Sequence, residues 1–413
     1  MKLLVVVHDY LPFHVAGTEL HAHQSGSQLA ARGHEVTALF TERDLSREPG
    51  SIRHGELDGV KTIEVVHQRE YADVRETYLE DESARIFREL LAELRPDVVH
   101  FHHFAFWGAC CATIAREAGC RVVATLHDYH LLCDNSVLLK RDGSLCEGGP
   151  RGECHECLER HPLHPDRAAD ETREEAFARA MGERRELHAG ALTELHRVIC
   201  PSHFLAKLFL GAGWVREEQV VVMKAGYPGP RRAARRTDAA RPLRVGFVGG
   251  VYRSKGVHVL VEAFAKLKGT AVELSIHGAL DWFPDYVEGL RDRARGLAVS
   301  FPGRFEPAEL DAILAGLDLL VVPSIWYENM PITLQEAFRN SLPVVASDLG
   351  GMSEAVEHGV SGLLVPPGDS GALAAAIREL AGDREQLFRL ASGTPEPPSL
   401  EAIASELESL YTS

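Results

Sequence analysis

The feature that most constrains this chain is a local grammar used twice. A short β-branched apolar run is followed by a glycine-bearing turn and then a helical stretch. Leu3 to Val7 opens the first copy, with Gly17 in the turn and a helical stretch from Thr18 to Arg32. Leu243 to Val248 opens the second, with Gly249-Gly250 in the turn and a helical stretch from Val257 to Leu267. In the latter, Val257, Leu260, Val261, Phe264 and Leu267 recur at spacings of three and four, which puts them on one helical face. An unbroken apolar strand is buried on both sides, and helices with one apolar face are what cover it. The expected class is α/β: two parallel, doubly wound sheets.

Further strands are expected at Glu35 to Phe40, Asp97 to Phe101, Arg121 to Leu126 and Val198 to Cys200, then at Val272 to His277, Asp318 to Val322, Pro343 to Ser347 and Gly362 to Val365. Both periodicities break across 227–242, where Tyr227-Pro228-Gly229-Pro230 leads into an Arg- and Ala-rich run. Residues 1–226 and 243–390 therefore read as two Rossmann-like domains joined by that linker. Ligands of such sheets bind beyond the carboxyl ends of the strands, so the site is expected to face a central cleft. The segment of about 133–195 departs from the alternation. It reads as an insertion in the first domain: a Cys- and His-rich loop, then a surface-packed helix over Glu171 to Leu195.

With 60 acidic against 44 basic side chains, the formal charge of −16 argues against a protein that wraps nucleic acid. It leaves room for one small anionic ligand, because backbone dipoles at a helix start act locally. The opening apolar run is too short for a signal peptide, and no run reaches the roughly 18 apolar residues of a spanning helix. A cytoplasmic protein is expected, whose 8 cysteines stay reduced unless they bind metal.

The densest chemical signal is the run from Pro323 to Ala337, directly after the apolar strand. Pro331 suits the first turn of a helix, and the N–H groups of Ile332 and Thr333 suit a diphosphate. A carboxylate on that helix, Glu336, can accept both hydrogen bonds of a ribose diol. Taken alone, acidic residues near a helix start do no more than favour the macrodipole. Glu328 and Glu336, with seven residues between them, resemble the paired-glutamate signature of the retaining GT-B nucleotide-sugar glycosyltransferases, in particular glycosyltransferase family four. The runs Ser341 to Asp348, Gly350-Gly351-Met352-Ser353-Glu354 and Gly359 to Asp369 resemble that family too. The resemblance is nearly continuous from Arg244 to about Leu380 and thinner in the first domain.

The resemblance implies a GT-B architecture, with a C-terminal helix over 391–413 packing back on the N-terminal, acceptor-binding domain. It implies that Glu336 holds the ribose and Glu328 contacts the donor sugar. Asn329, Met330, Pro331, Ile332 and Thr333 would bind sugar hydroxyls and phosphate. Lys255, before Gly256, would neutralise the diphosphate. The family's usual Arg stands as Gly250 here, and Arg253 is the candidate substitute. Gly17 matches a donor-binding glycine with Thr18 as N-cap, although a plain turn glycine is the ordinary reading. His127, at the end of a strand, matches a histidine near the donor sugar, with Asp128 and His130 as candidate acceptor contacts.

Cys133, Cys146, Cys154 and Cys157 form a separate constellation suited to structural zinc, set against free thiols or a disulfide, with His155, His161 and His164 as alternative ligands. Arg231-Arg232 and Arg235-Arg236 read as a solvated linker face, with an anionic acceptor or a membrane surface as the sharper alternative.

The expected activity is transfer of a hexose from a nucleoside diphosphate sugar, UDP or GDP, to an acceptor hydroxyl, with anomeric retention and no catalytic cofactor. The acceptor would be a carbohydrate, a lipid-linked sugar or a small-molecule glycoside, with no nucleic acid, no transmembrane segment and at most peripheral membrane contact. A nucleotide-sugar epimerase, a sugar phosphorylase or a catalytically inactive binding protein are the alternatives. A nicotinamide dehydrogenase is disfavoured, because neither first strand is followed by Gly-x-Gly-x-x-Gly.

Overall fold

The structure is a computed structural model, which describes residues 1–140, 142–147, 154, 157 and 163–413. It comprises two compact units, Met1–Gly226 with Leu400–Ser413, and Tyr227–Ser399.

In the first unit, β1 (Lys2–Val6), β2 (Glu35–Arg43), β3 (Ile52–Leu57), β4 (Val60–His67), β5 (Val98–Phe101), β6 (Arg121–Thr125), β7 (Arg197–Cys200) and β8 (Val220–Val222) form one sheet. Its order is β3-β4-β2-β1-β5-β6-β7-β8. Only the β3–β4 hairpin is antiparallel; the other neighbours are parallel. Leu3, Leu4, Val5 and Val6 are all buried, as a strand covered on both faces requires. Leu3, Val5, Val36, Ala38 and Val98 pack on Ala22 and Leu29 of the helix Gly17–Ala31.

In the second unit, β9 (Leu243–Val248), β10 (Val272–His277), β11 (Val299–Gly303), β12 (Leu319–Val322), β13 (Val344–Ser347) and β14 (Gly362–Val365) run in the order β11-β10-β9-β12-β13-β14. All neighbours are parallel. The order reverses between β9 and β12, and in a doubly wound sheet that switch point is where a crevice opens above the strand ends. The helix Val257–Ala265 closes one face with the apolar stripe read from the sequence. Both units are the parallel-sheet α/β class expected from the sequence.

Two expectations need correction. The segment around 171–195 is no surface appendage. Its helix, Arg173–Thr193, is the crossover that feeds β7, and it buries Phe177, Met181, Leu192 and even Arg184. Arg184 is tolerated there because its guanidinium donates to the carbonyls of His130 and Leu131. The linker arginines are largely the solvated face expected, with Arg232, Arg235 and Arg236 exposed and Arg231 half-buried, and they also anchor the linker. Arg231 donates to the Ala391 carbonyl at 3.0 Å, Arg232 pairs with Asp311 at 3.0 Å, and Arg235 donates to the Ala315 carbonyl at 2.6 Å, so they fasten 227–242 to the second unit. The returning C-terminal helix starts at Leu400, later than expected. It buries Ile403, Ala404, Leu407 and Tyr411 in the first unit's core. Among the described residues no helix is long and apolar enough to cross a membrane.

Candidate functional site

The second unit's crevice is built from the loops that follow β9 and β12. Gly256 is the pivot. Its φ is +71°, and a Cβ there would lie 1.8 Å from the carbonyl oxygen of Pro323. Only glycine lets the turn after β9 lie directly on the backbone leaving β12. That approach delivers Lys255, whose Nζ donates to Glu328 Oε1 at 2.7 Å. Ser324 Oγ and Trp326 Nε1 donate to the same oxygen at 2.6 and 2.8 Å. Glu328 is 5% exposed, so three donors, one of them a cation, stabilise a buried carboxylate. Burial works against the Lys255 ammonium, but the charges of Glu328 and Tyr252 and the hydrogen bonds to both together outweigh it and hold the lysine above its ordinary range.

The helix Ile332–Arg339 begins at the far side of this loop. Pro331 is its N-cap, with ψ 123°, rather than its first-turn residue, and no side chain caps the helix. The start therefore keeps unsatisfied donors, which favour an anion. Asn329 is buried, while Met330, Ile332 and Thr333 are half-buried along the same loop and helix start. Glu336 lies one turn further in. Burial, then the charge of Asp311, pushes its carboxyl up to about 7, with Arg339 opposing. Beside it, neither amide atom of the Gln335 side chain has a hydrogen-bond partner. The Gly350-Gly351 turn supports the loop from behind: the Gly351 N–H donates to the Glu328 carbonyl at 2.7 Å.

The arginine question has a partial answer. A side chain at position 250 would meet the Tyr252 ring, 2.4 Å from an added Cβ. Arg253 is exposed, and its charge acts on His258 and Tyr286. Glu328 is partnered by Lys255, Ser324 and Trp326 instead.

In the first unit the corresponding switch point lies between β1 and β5. Gly17 is the exposed first residue of its helix, and the N-cap is Ala16 rather than Thr18. Alanine has no side-chain acceptor, so Glu19 reaches back to accept the Ala16 N–H at 3.1 Å. His127 follows β6 and meets His102, Nε2 to Nδ1, at 3.1 Å. Burial, then His21, holds His127 well below the usual imidazole range, so its ring is neutral. Asp128 pairs with His103 at 3.2 Å and accepts the His130 N–H at 2.8 Å.

This surrounding set of histidines escaped the sequence reading. The signal was there in His100-Phe101-His102-His103 at a strand end and in His21-Ala22-His23 on the first helix. What hid it is that the rings meet only after three elements fold together.

Cys133 donates to Asn135 at 2.6 Å with Cys146 nearby, while Cys154 lies against the cluster of Val74 and Phe177 and accepts from Arg185 at 3.0 Å. Among the described residues, two groups of three or more side chains could hold a metal, and neither includes a cysteine. His155 and His161 lie outside the described residues.

A family model described as Glycosyltransferase Family 4 matches residues 15–228, and one described as Glycosyl transferases group 1 matches 242–383. The glycogen synthase of Mycobacterium tuberculosis is 27% identical over 93% of this chain and 86% of its own length. The D-inositol 3-phosphate glycosyltransferase of Corynebacterium urealyticum is 34% identical over 45% of this chain, which spans 48% of that relative. Among solved structures, the sucrose-phosphate synthase of Thermosynechococcus elongatus matches with a TM-score of 0.72 at 20% identity, covering 100% of this chain and 98% of its own. HepE of Anabaena in complex with UDP matches with a TM-score of 0.65 at 19% identity, again over 100% and 98%.

Proposed function

This chain belongs to glycosyltransferase family 4, and from that premise we propose that it moves a hexose from a UDP- or GDP-sugar to an acceptor hydroxyl with retention at the anomeric carbon. The observation that carries the reading is the joint delivery of Lys255 and Glu328 to one crevice, with Glu336 one turn into the adjoining helix.

Each group has a task its environment suits. The helix start at Ile332 and Thr333 receives the diphosphate. An ammonium has three donors, so Lys255 can keep Glu328 and still neutralise a phosphate oxygen as the bond to the sugar breaks. Glu328, held by Ser324 and Trp326, has its second oxygen for a sugar hydroxyl. Glu336 accepts from the ribose diol. His127 is neutral, so it serves as a hydrogen-bonding partner to the donor sugar rather than as a proton source. The departing diphosphate itself takes up the acceptor proton, and no metal enters the scheme. The acceptor is a carbohydrate, a lipid-linked sugar or a small glycoside, and transfer takes place in the cytoplasm.

Incubation with UDP- and GDP-hexoses tests this. The expected products are free nucleotide and a glycoside whose anomeric configuration, read by NMR, matches the donor. An isomerised sugar nucleotide or a sugar phosphate would replace transfer with epimerase or phosphorylase chemistry. In the same assay Glu336→Ala should raise the donor KM and Glu328→Ala should lower kcat. Each should cost about 1.5–3 kcal/mol, or roughly 10- to 150-fold, as for a lost hydrogen bond to a charged group. Parent-like kinetics from both variants would remove the site assignment.

A further inference from the structure

His21, His102 and His127 are brought together at the switch point of the first unit by three separate elements. His21 sits on the helix Gly17–Ala31, His102 directly follows β5, and His127 follows β6. Each offers a ring nitrogen, and the three nitrogens all lie within 4.8 Å of one another. The ring centroids are 5.4 Å apart for His21 and His102, 5.1 Å for His21 and His127, and 5.4 Å for His102 and His127.

The decisive feature is His21. It is 8% exposed, yet neither of its ring nitrogens has a hydrogen-bond partner. A buried imidazole with both nitrogens orphaned is costly, and such a group calls for an explanation. The spacing supplies one. Two imidazole nitrogens on a tetrahedral zinc, each about 2.05 Å from the metal, lie about 3.3 Å apart. His102 Nδ1 and His127 Nε2 are already 3.1 Å apart. Neighbouring groups are committed elsewhere: His100, tilted against His102 with ring centroids 4.3 Å apart, spends its nitrogens on Tyr411 Oη and Thr125 Oγ1. His8 and Glu19, of the other acidic and imidazole group, pair with each other at 3.2 Å.

We propose that His21, His102 and His127 form a zinc site with three imidazole ligands and a fourth position for water, tying the first helix to the ends of β5 and β6. Neutral imidazole is the ligand form, and burial favours it at all three positions. Because His127 also faces the donor sugar in the reading above, the test reads metal rather than activity.

The full chain, stripped of metal by chelator and dialysis, is titrated with cobalt(II) and zinc. A second chain carries Cys133→Ser, Cys146→Ser, Cys154→Ser and Cys157→Ser together, and a third carries His21→Leu. The expected result is one cobalt per chain in the four-serine protein, with tetrahedral d–d bands and no thiolate-to-cobalt charge-transfer band, displaced by zinc. His21→Leu should remove that equivalent and its bands. Absence of stoichiometric cobalt from the four-serine protein overturns the site, as does a thiolate-to-cobalt band there or retention of the same bands in folded His21→Leu. If His21→Leu does not fold, the spectrum of the four-serine chain decides alone, since the missing thiolate band excludes the remaining Cys110, Cys111, Cys120 and Cys200 as ligands.

Discussion

Glu336 is a carboxyl group that the fold holds at a cost. Its pKa is pushed from 4.5 to about 7 by burial and by Asp311. An acid with a raised folded-state pKa keeps a proton that the unfolded chain has released, so its contribution to stability is full below about 4.5 and lost as pH rises through about 7. The shift corresponds to as much as about 3 kcal/mol at pH 8. Glu336→Gln should therefore raise the urea midpoint at pH 8 and change it little at pH 4.5, while weakening donor binding. Donor affinity of the parent should rise with pH through 7, because the ribose diol needs the carboxylate, and the Gln variant should be flat. A parent-like midpoint at pH 8 would show that the carboxyl is not stabilised in its protonated form. At this scale the sequence was informative where function concentrates in one segment. Glu328, Glu336 and Lys255 were legible because a strand, a loop and a helix start follow each other in the chain. Ser324 and Trp326 as partners of Glu328 were not, and neither were His21 and His102 as neighbours of His127, since no local periodicity records those meetings.

Among the elements, the turn that joins β9 to its helix makes the clearest demand. Gly256 combines φ +71° with backbone pressed against the place a Cβ would fill, whereas Gly269, at φ +85°, has nothing within 4 Å. Both Gly→Ala variants incur the left-handed penalty, about 1–2 kcal/mol. Only Gly256→Ala must also push the Lys255 turn off Pro323, so it should lose at least about 2 kcal/mol and most of its transfer activity. The comparison is made by thermal unfolding and donor kinetics of the pair, and equal losses would mean that the close approach is unimportant. Central strands were readable for the same packing reason: Val344 to Ser347 and Leu319 to Val322 are buried at every position. Three of the four edge strands, β3, β8 and β11, were missed, and so was β4 beside β3. β3 reads Ile-Arg-His-Gly-Glu-Leu and is largely exposed, β8 is apolar but only three residues long, and β11 contains Pro302. The helix Arg173–Thr193 was misplaced to the surface because its buried positions include Arg184 and His188, which look solvated in sequence.

At the scale of the whole molecule, the chain crosses from the first unit to the second and returns with the helix Leu400–Thr412. That helix completes the first unit's core: Ile403, Ala404, Leu407 and Tyr411 are at most 4% exposed. Tyr411 also holds His100 through a 2.7 Å hydrogen bond, and Glu408 pairs with Arg32 and His34 at 2.7 Å each. Burying a large apolar side chain contributes about 1.5–3 kcal/mol, so loss of three such side chains approaches the 5–15 kcal/mol of a typical domain. A chain stopped after Ser399 should therefore have an unstable first unit and an intact second one, since Tyr227–Ser399 keeps its own core. Limited proteolysis should cut within 1–226 and leave 227–399. UDP or GDP, whichever the parent binds, should still raise the thermal midpoint of the surviving unit, by linkage of about 2.7 kcal/mol at a ligand concentration one hundred times Kd. Loss of that shift in the truncated chain would mean that nucleotide recognition needs groups of the first unit, and Lys255, Glu328 and Glu336 would then not suffice to hold the donor.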